Sequence, residues 1–413
     1  MHSVSSVVTS EAEAIAPAIT ASADAGRIAH VDSLRAVAAG SVMWLHFHQF
    51  LDPATPLGAA TSDIPDTWPR YFDPGRMGVM IFFAISGFVI CRSFGERSAG
   101  SVRRFLIRRV CRLYPAYWVS MLGGLLIWWL KGQTWTWTAL AANATMIPGT
   151  LGFTRLIGVY WTLEVELLFY ALCVALHLAR WLDRKTVLAA IVLLLLWVPK
   201  LMRFSDDLSG THLALTRMQA SVCLGLAIMF WGALFRLIYD QTAGFRQNWR
   251  AQRSSLMLLT ILMISIIDVP DMKLKWILLG LREGPPGGHI MTAGALLIFT
   301  VWVAWLRVKS PLLTYLGMLS YSLYLFHLVA LDVCNYILAP NRVGAWLSSP
   351  MWMNYLICTA LTVGVAAMVY QWVERPADRL GIRLPACAIG TPCRIVAAHS
   401  APDSSLTVRR TDR

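Results

Sequence analysis

An arginine and a histidine eleven residues apart, Arg35 and His46, interrupt the first apolar stretch of the chain, VDSLRAVAAGSVMWLHFHQF. An ionisable group at bilayer depth costs roughly 2.5 to 3.5 kcal/mol on insertion scales, so a span that keeps two is expected to use them. Eleven helical residues make three turns plus about 20°, which puts both side chains on one face, about 16 Å apart along the axis. Asp32 precedes Arg35 by three residues on the same stripe. The plainer alternative has Arg35 snorkelling to the interface beside Asp32, with His46 in the opposite headgroup zone. A histidine near a buried carboxylate is equipped for general-base work on a hydroxyl, because the carboxylate orients the ring and supports its charged form. The segment VYWTLEVELLFYAL offers Glu164 and Glu166, about 200° apart around a helix, so only one can face a given site. Glu166 is the inward choice, with Phe169 and Tyr170 on its flank.

Depth counted at about 1.5 Å per residue puts His46 about 20 Å above the inner surface and Glu166 about 12 Å below the outer one. In LLTYLGMLSYSLYLFHL, His327 lies about 22 Å up, and Ser320, Tyr324 and His327 form one helical stripe. Ser86 of GVMIFFAISGFVI falls near the midplane. One level of a helix bundle thus gathers His46, Glu166, Ser86, Tyr324 and His327, and the candidate catalytic residues are His46, Glu166, Tyr324, Ser320 and His327. For the serines, a local helix bond or close helix packing is the alternative. A second group sits at the inner rim. In RRFLIRRVCRLYPAYW, Arg109 and Arg112 are three apart on one face, close in depth to Arg35. Arginine forks suit phosphates, so Arg35, Arg109, Arg112 and Ser86 are candidates for holding a phosphorylated ligand. The spacing of about 16 Å between the two layers suits a pantetheine arm. Positive-inside topology and anionic lipid are the other explanation for these arginines.

The elements that must position these residues follow from composition. The 413 residues are 57% apolar and 14% charged, against about 25% charged in globular domains. Apolar runs fall at 34–51, 77–93, 114–130, 158–178, 187–202, 216–238, 255–269, 290–306, 312–338 and 352–373. These predict an all-α integral membrane protein, a bundle of about ten transmembrane helices. The fifth and seventh runs are short, and 138–153 could be a re-entrant piece. Both termini are placed in the cytoplasm, which leaves about two thirds of the 36 Lys and Arg inside. Read this way, the net charge of +13 points to topology and membrane lipid rather than to nucleic acid.

Residues 1–27 lack a basic stretch followed by an apolar core, so they read as a disordered Ala/Ser tail rather than a cleaved signal. Residues 28–376 form the membrane domain, and 377–413 a cytoplasmic tail, expected to be disordered and too short for a second enzymatic domain. The eight cysteines include no CxxC and none in an outer loop, which argues against disulfides and zinc. No Walker loop, GxGxxG or HExxH occurs, so ATP, NAD and metalloprotease chemistry are not indicated.

Six motifs in order resemble the membrane-bound acyltransferase 3 family, which modifies surface polysaccharides and related acceptors. They are VDSLRAVAAG with His46 following, GVMIFFAISGF at 78–88, RRVCRLYPAYW at 108–118, VYWTLEVELLFY at 159–170, LGMLSYSLYLFH at 316–327 and VERP at 373–376. The resemblance covers the whole membrane region. It implies ten helices in a bacterial inner membrane, an acyl-CoA co-substrate entering from the cytoplasm, and no tightly bound cofactor. It carries essential roles onto Arg35 and His46, an RxxR role onto Arg109 and Arg112, and a glutamate role onto Glu166. Two departures stand out. Met80 occupies a position that is often acidic in the family, and the hydrolase-like extracytoplasmic domain that many relatives append is not present in this sequence.

The expectation is therefore an O-acyltransferase, acetyl being the acyl group the resemblance favours, that acts on a hydroxyl of a lipopolysaccharide, exopolysaccharide or other exported glycan. His46 would act as general base or carry the acyl group transiently, and Tyr324 or Ser320 would donate to the oxyanion. A transporter or flippase is the rival reading, because ionisable groups at mid-depth also mark substrate paths.

Overall fold

The computed structural model describes residues 28–51, 73–95, 100–209, 216–243, 249–279, 287–336 and 351–387. Among these residues the protein is all helix, with no strand. The helices are α1 (Ala29–Leu51), α2 (Pro74–Ile90), α3 (Ser101–Leu130), the short α4 (Trp137–Ala144) and α5 (Trp161–Leu178). There follow α6 (Lys185–Ser209), α7 (Arg217–Ala243), α8 (Trp249–Leu279) and α9 (Gly287–Val301). The last four are α10 (Pro311–Met318), α11 (Ser320–Tyr336), α12 (Met351–Val369) and α13 (Arg375–Cys387). Wide π-turns extend α9 over Trp302–Leu306 and join α12 to α13 over Tyr370–Glu374.

Each of the ten apolar runs falls on a helical stretch. Among the described residues, six helices are long and apolar enough to cross a membrane, or seven if α10 and α11 are taken together as one bent span. The helices α2 and α9 are apolar but shorter, and α1 carries Asp32, Arg35, His46 and His48. Two boundaries differ from expectation. The run at 312–338 is not one straight helix, because α10 and α11 meet at a 69° bend; apolar residues on both sides of the bend still find neighbours, so the hydrophobic pattern passes through it unmarked. The chain also stays helical to Cys387, past the expected start of the tail at residue 377. Here α13 packs against α3, which gives this polar helix a partner that its composition does not reveal. The tails 1–27 and 388–413 lie outside the described residues, as does the segment 52–72.

Local chemistry starts and repairs these helices. Asp73 caps α2 by accepting from the Arg76 N–H at 2.8 Å, with Pro74 in the first turn. In α8, Pro270 has no N–H to give the Ile266 carbonyl; Lys200 of α6 donates to it at 2.9 Å and to Ile267 O at 2.8 Å. The 138–153 stretch folds as α4 and a turn laid on α3. Tyr114, Tyr117 and Trp118 donate to the carbonyls of Thr145, Asn143 and Ala144, and the Asn143 side chain pins the turn through Ala139 O, Thr154 O and Leu156 N.

At the centre, α2 packs between α1, α7 and α9. A Cβ on Gly87 would overlap the Met229 carbonyl, and one on Gly232 would meet that of Ala84, so α2 and α7 touch backbone to backbone as small residues in membranes allow. By contrast α6, α8 and α12 turn large apolar side chains outward, such as Leu194, Leu258 and Leu356.

Candidate active site

Glu166 projects from α5 toward α2 and α3. Its carboxylate accepts from Ser86 Oγ at 3.4 Å and from the hydroxyl of Tyr170, one turn further along α5. That hydroxyl accepts in turn from Arg109 Nη1 at 3.4 Å, while Arg109 Nη2 donates to Ser93 Oγ at 2.8 Å. The Arg109 guanidinium also lies 5.2 Å from the Tyr170 ring centre and 5.4 Å from that of Phe105. A hydrogen-bonded line therefore runs from Ser86 through Glu166 and Tyr170 to the rim arginine. Arg112 lies in the field of Asp378 and Glu374. Glu374 is itself buried and accepts from Ser322 Oγ at 2.8 Å.

Arg35 shares with Glu166 a pocket also lined by Ser86, Thr162, Ser320 and Tyr324. Two polar atoms of its wall, Arg35 Nε and Ser320 Oγ, are buried with no hydrogen-bond partner among the described residues. Each such orphan costs about 1–3 kcal/mol, a cost that a ligand bringing acceptors would relieve. The close meeting of α10 and α1 sets this arrangement. Gly317 lies so near the Asp32 backbone that no Cβ fits between them, and Ser320 and Arg35 each follow three residues later.

His46 belongs to a different pocket, lined also by Asp73, Arg76, Trp161, Ser221 and Tyr324. Its ring faces that of the fully buried His327, centre to centre 5.2 Å at a tilt of 32°. The expected pairing of His46 with Glu166 is thus not what the helices bring together. Counting residues gives height in the bundle but not the direction in which a side chain points, and Glu166 is turned toward Ser86 and Tyr170 instead. Tyr324 and Val79 line both cavities and form the wall between them. The Tyr324 hydroxyl is held by Thr162 Oγ1 at 2.8 Å and donates to Val159 O at 3.1 Å. Its proton is engaged there, which leaves Ser320 as the donor open to an oxyanion.

Glu164 faces the other way, as its two-residue offset from Glu166 requires. It is buried against Arg155, with Nε at 2.6 Å and Nη2 at 3.2 Å, and accepts from Gly149 N at 3.1 Å, which makes it a structural anchor. Two residues escaped sequence reasoning. Tyr170, read as a flanking aromatic, is the bridge between Glu166 and Arg109, and its i+4 spacing from Glu166 was the available signal. Glu374, inside the VERP motif, was visible only as a carboxylate closing an apolar run.

A sequence profile described as an acyltransferase domain matches residues 28–371. Nodulation protein 10 of Rhizobium leguminosarum bv. viciae is 24% identical over 386 residues, 86% of this chain and 94% of its own length. The exopolysaccharide production protein ExoZ of Rhizobium meliloti (strain 1021) is 26% identical over 330 residues, covering 76% and 92%. A Staphylococcus aureus (strain COL) protein, provisionally named an O-acetyltransferase, is 23% identical over 353 residues, 76% of this chain but 54% of that longer protein. No solved structure gives a significant match.

Proposed function

The chain belongs to the acyltransferase family defined by that domain and is a multi-pass membrane protein, and from this premise we propose that it is an O-acyltransferase of a bacterial inner membrane, with both termini in the cytoplasm. It moves an acyl group, acetyl in the simplest case, from cytoplasmic acyl-CoA to a hydroxyl of an exported or surface glycan. The name of the exopolysaccharide relative supports the glycan, and that of the staphylococcal relative supports the acetyl group.

The observation that carries this reading is the pair of cavities meeting at Tyr324 and Val79. One holds a cation, a carboxylate and several hydroxyls next to an arginine-rich rim; the other holds a histidine beside Trp161 and a charged mouth. Arg109 and Arg112 engage the CoA phosphates, and the pantetheine arm reaches past Glu166 to bring the thioester to Arg35 and Ser320. His46 takes the proton of the acceptor hydroxyl from the other side. The oxygen–carbonyl bond forms, the carbon–sulfur bond breaks, Ser320 donates to the oxyanion between them, and the proton ends on the CoA sulfur. An acyl group carried transiently on His46 is compatible with the same arrangement.

The test compares surface glycan from a deletion strain, a strain complemented with the native chain and one complemented with His46→Ala, by mass spectrometry. Loss of an acyl mass increment, restored only by the native chain, supports the proposal and identifies both acyl group and acceptor. Full restoration by His46→Ala overturns the role of His46. Unchanged glycan in all three, with no acetyl-CoA turnover by the purified protein, favours a transporter.

A further inference from the structure

His46 needs something to fix its ring if it is to work as a base, and the carboxylate expected to do so points elsewhere. The structure offers a different group. His327 is fully buried on α11, and its Nδ1 lies 2.8 Å from the carbonyl of Tyr324 in its own helix. A carbonyl can only accept, so Nδ1 carries the proton, and in a neutral imidazole the other nitrogen, Nε2, is then an acceptor. That Nε2 is buried with no hydrogen-bond partner among the described residues. The ring opposite is His46, at 5.2 Å between centres and 32° between planes. Two imidazoles joined by an N–H···N bond of about 2.9 Å have their centres about 5 Å apart, so a small rotation of His46 closes the contact.

We propose that His327 is the positioning residue for His46: its backbone-fixed Nε2 accepts the N–H of His46 and so turns the unprotonated nitrogen of His46 toward the outer cavity. The inference rests on the reading of His46 as the base. It specifies what that reading left open, namely which tautomer is active and what sets it. A neutral imidazole does this without placing a second anion near the path of the acyl group. Once His46 has taken the acceptor proton, His327 shares the resulting positive charge through the same bond, and the proton then leaves with the CoA thiol.

Two substitutions at one position separate this role from a structural one. In His327→Asn the side-chain amide can still reach the Tyr324 carbonyl, but nothing occupies the place of Nε2. In His327→Gln an acceptor is restored near Nε2 and the local bond to Tyr324 is lost. Release of CoA from acetyl-CoA is measured with the purified full chain in lipid nanodiscs, after monodisperse elution has been checked, alongside His46→Ala. The proposal expects kcat of the Asn variant to fall about 100-fold, the scale of one general-base contribution, with KM for acetyl-CoA within about twofold of native. The Gln variant should keep at least about tenfold more activity than the Asn variant. If the Asn variant equals or exceeds the Gln variant while His46→Ala is inactive, His327 does not position His46 and the reading of His46 stands. An active His46→Ala variant overturns both.

Discussion

Gly317→Ala is the sharpest perturbation available, because it alters no polar atom of the site. An added Cβ would sit 3.0 Å from Asp32 Cα and overlap the Asp32 carbonyl. Carbon atoms rest at about 3.5–4.0 Å, so α10 must back away from α1 by about 1 Å or more. Neither obstacle is the far end of a flexible side chain, so rotamer adjustment cannot absorb the strain. Overpacking of this kind costs about 1–3 kcal/mol, which a folded bundle can survive. Catalysis is less forgiving. Ser320 and Arg35 lie three residues beyond the contact on their respective helices, and a displacement of about 1 Å at a reacting centre lowers rates about 100-fold. The assay is CoA release from acetyl-CoA in nanodiscs with a thiol reagent, together with the temperature at which the protein loses monodisperse elution. Gly294→Ala and Gly364→Ala serve as controls, since a Cβ at either meets nothing within 4 Å. Native kcat and KM in Gly317→Ala would refute the claim that this helix contact sets the distance between Ser320 and Arg35.

Other expectations follow from the same geometry. Ser320→Ala should lower kcat about 100- to 1,000-fold, as loss of an oxyanion donor does, yet leave thermal stability unchanged or raised because the hydroxyl has no partner among the described residues. Tyr324→Phe should do the reverse, losing about 0.5–1.5 kcal/mol of stability with the Val159 and Thr162 bonds while kcat falls less than about tenfold; a larger kinetic loss would assign its hydroxyl to the chemistry. Arg155→Met should cost about 3–5 kcal/mol by stranding Glu164, and adding Glu164→Gln should recover much of that loss, read as coupling in a double-mutant cycle.

What the sequence made legible was set by periodicity and cost. Apolar runs announce helices because the bilayer demands them, and intramembrane ionisable residues announce themselves because they are expensive. Helix spacing also separated Glu164 from Glu166. What it left open was direction. Height along a helix follows from counting residues, but whether Glu166 meets His46 or Ser86 depends on how α5 is rotated and on which neighbour lies there. The bend between Met318 and Ser320 was hidden for a related reason, since no break in hydropathy accompanies it. Glu374 was hidden because a single carboxylate at the end of a span looks like an ordinary boundary residue.

The wall formed by Tyr324 and Val79 also has an electrical meaning. Where water enters a membrane protein from both faces, the voltage falls mainly across the barrier that remains, at about 2.3 kcal/mol per elementary charge per 100 mV. On the sidedness proposed above, Arg35 and Glu166 sit at one end of that drop and His46 and His327 at the other. An acetyl group is neutral and passes from sulfur to oxygen without sensing the voltage. The proton that travels the opposite way, from the acceptor hydroxyl to the thiol, does sense it, and an interior-negative potential pulls it in the productive direction. If the transfer runs as proposed, each turnover is electrogenic, and an energised membrane drives it forward beyond what the thioester supplies.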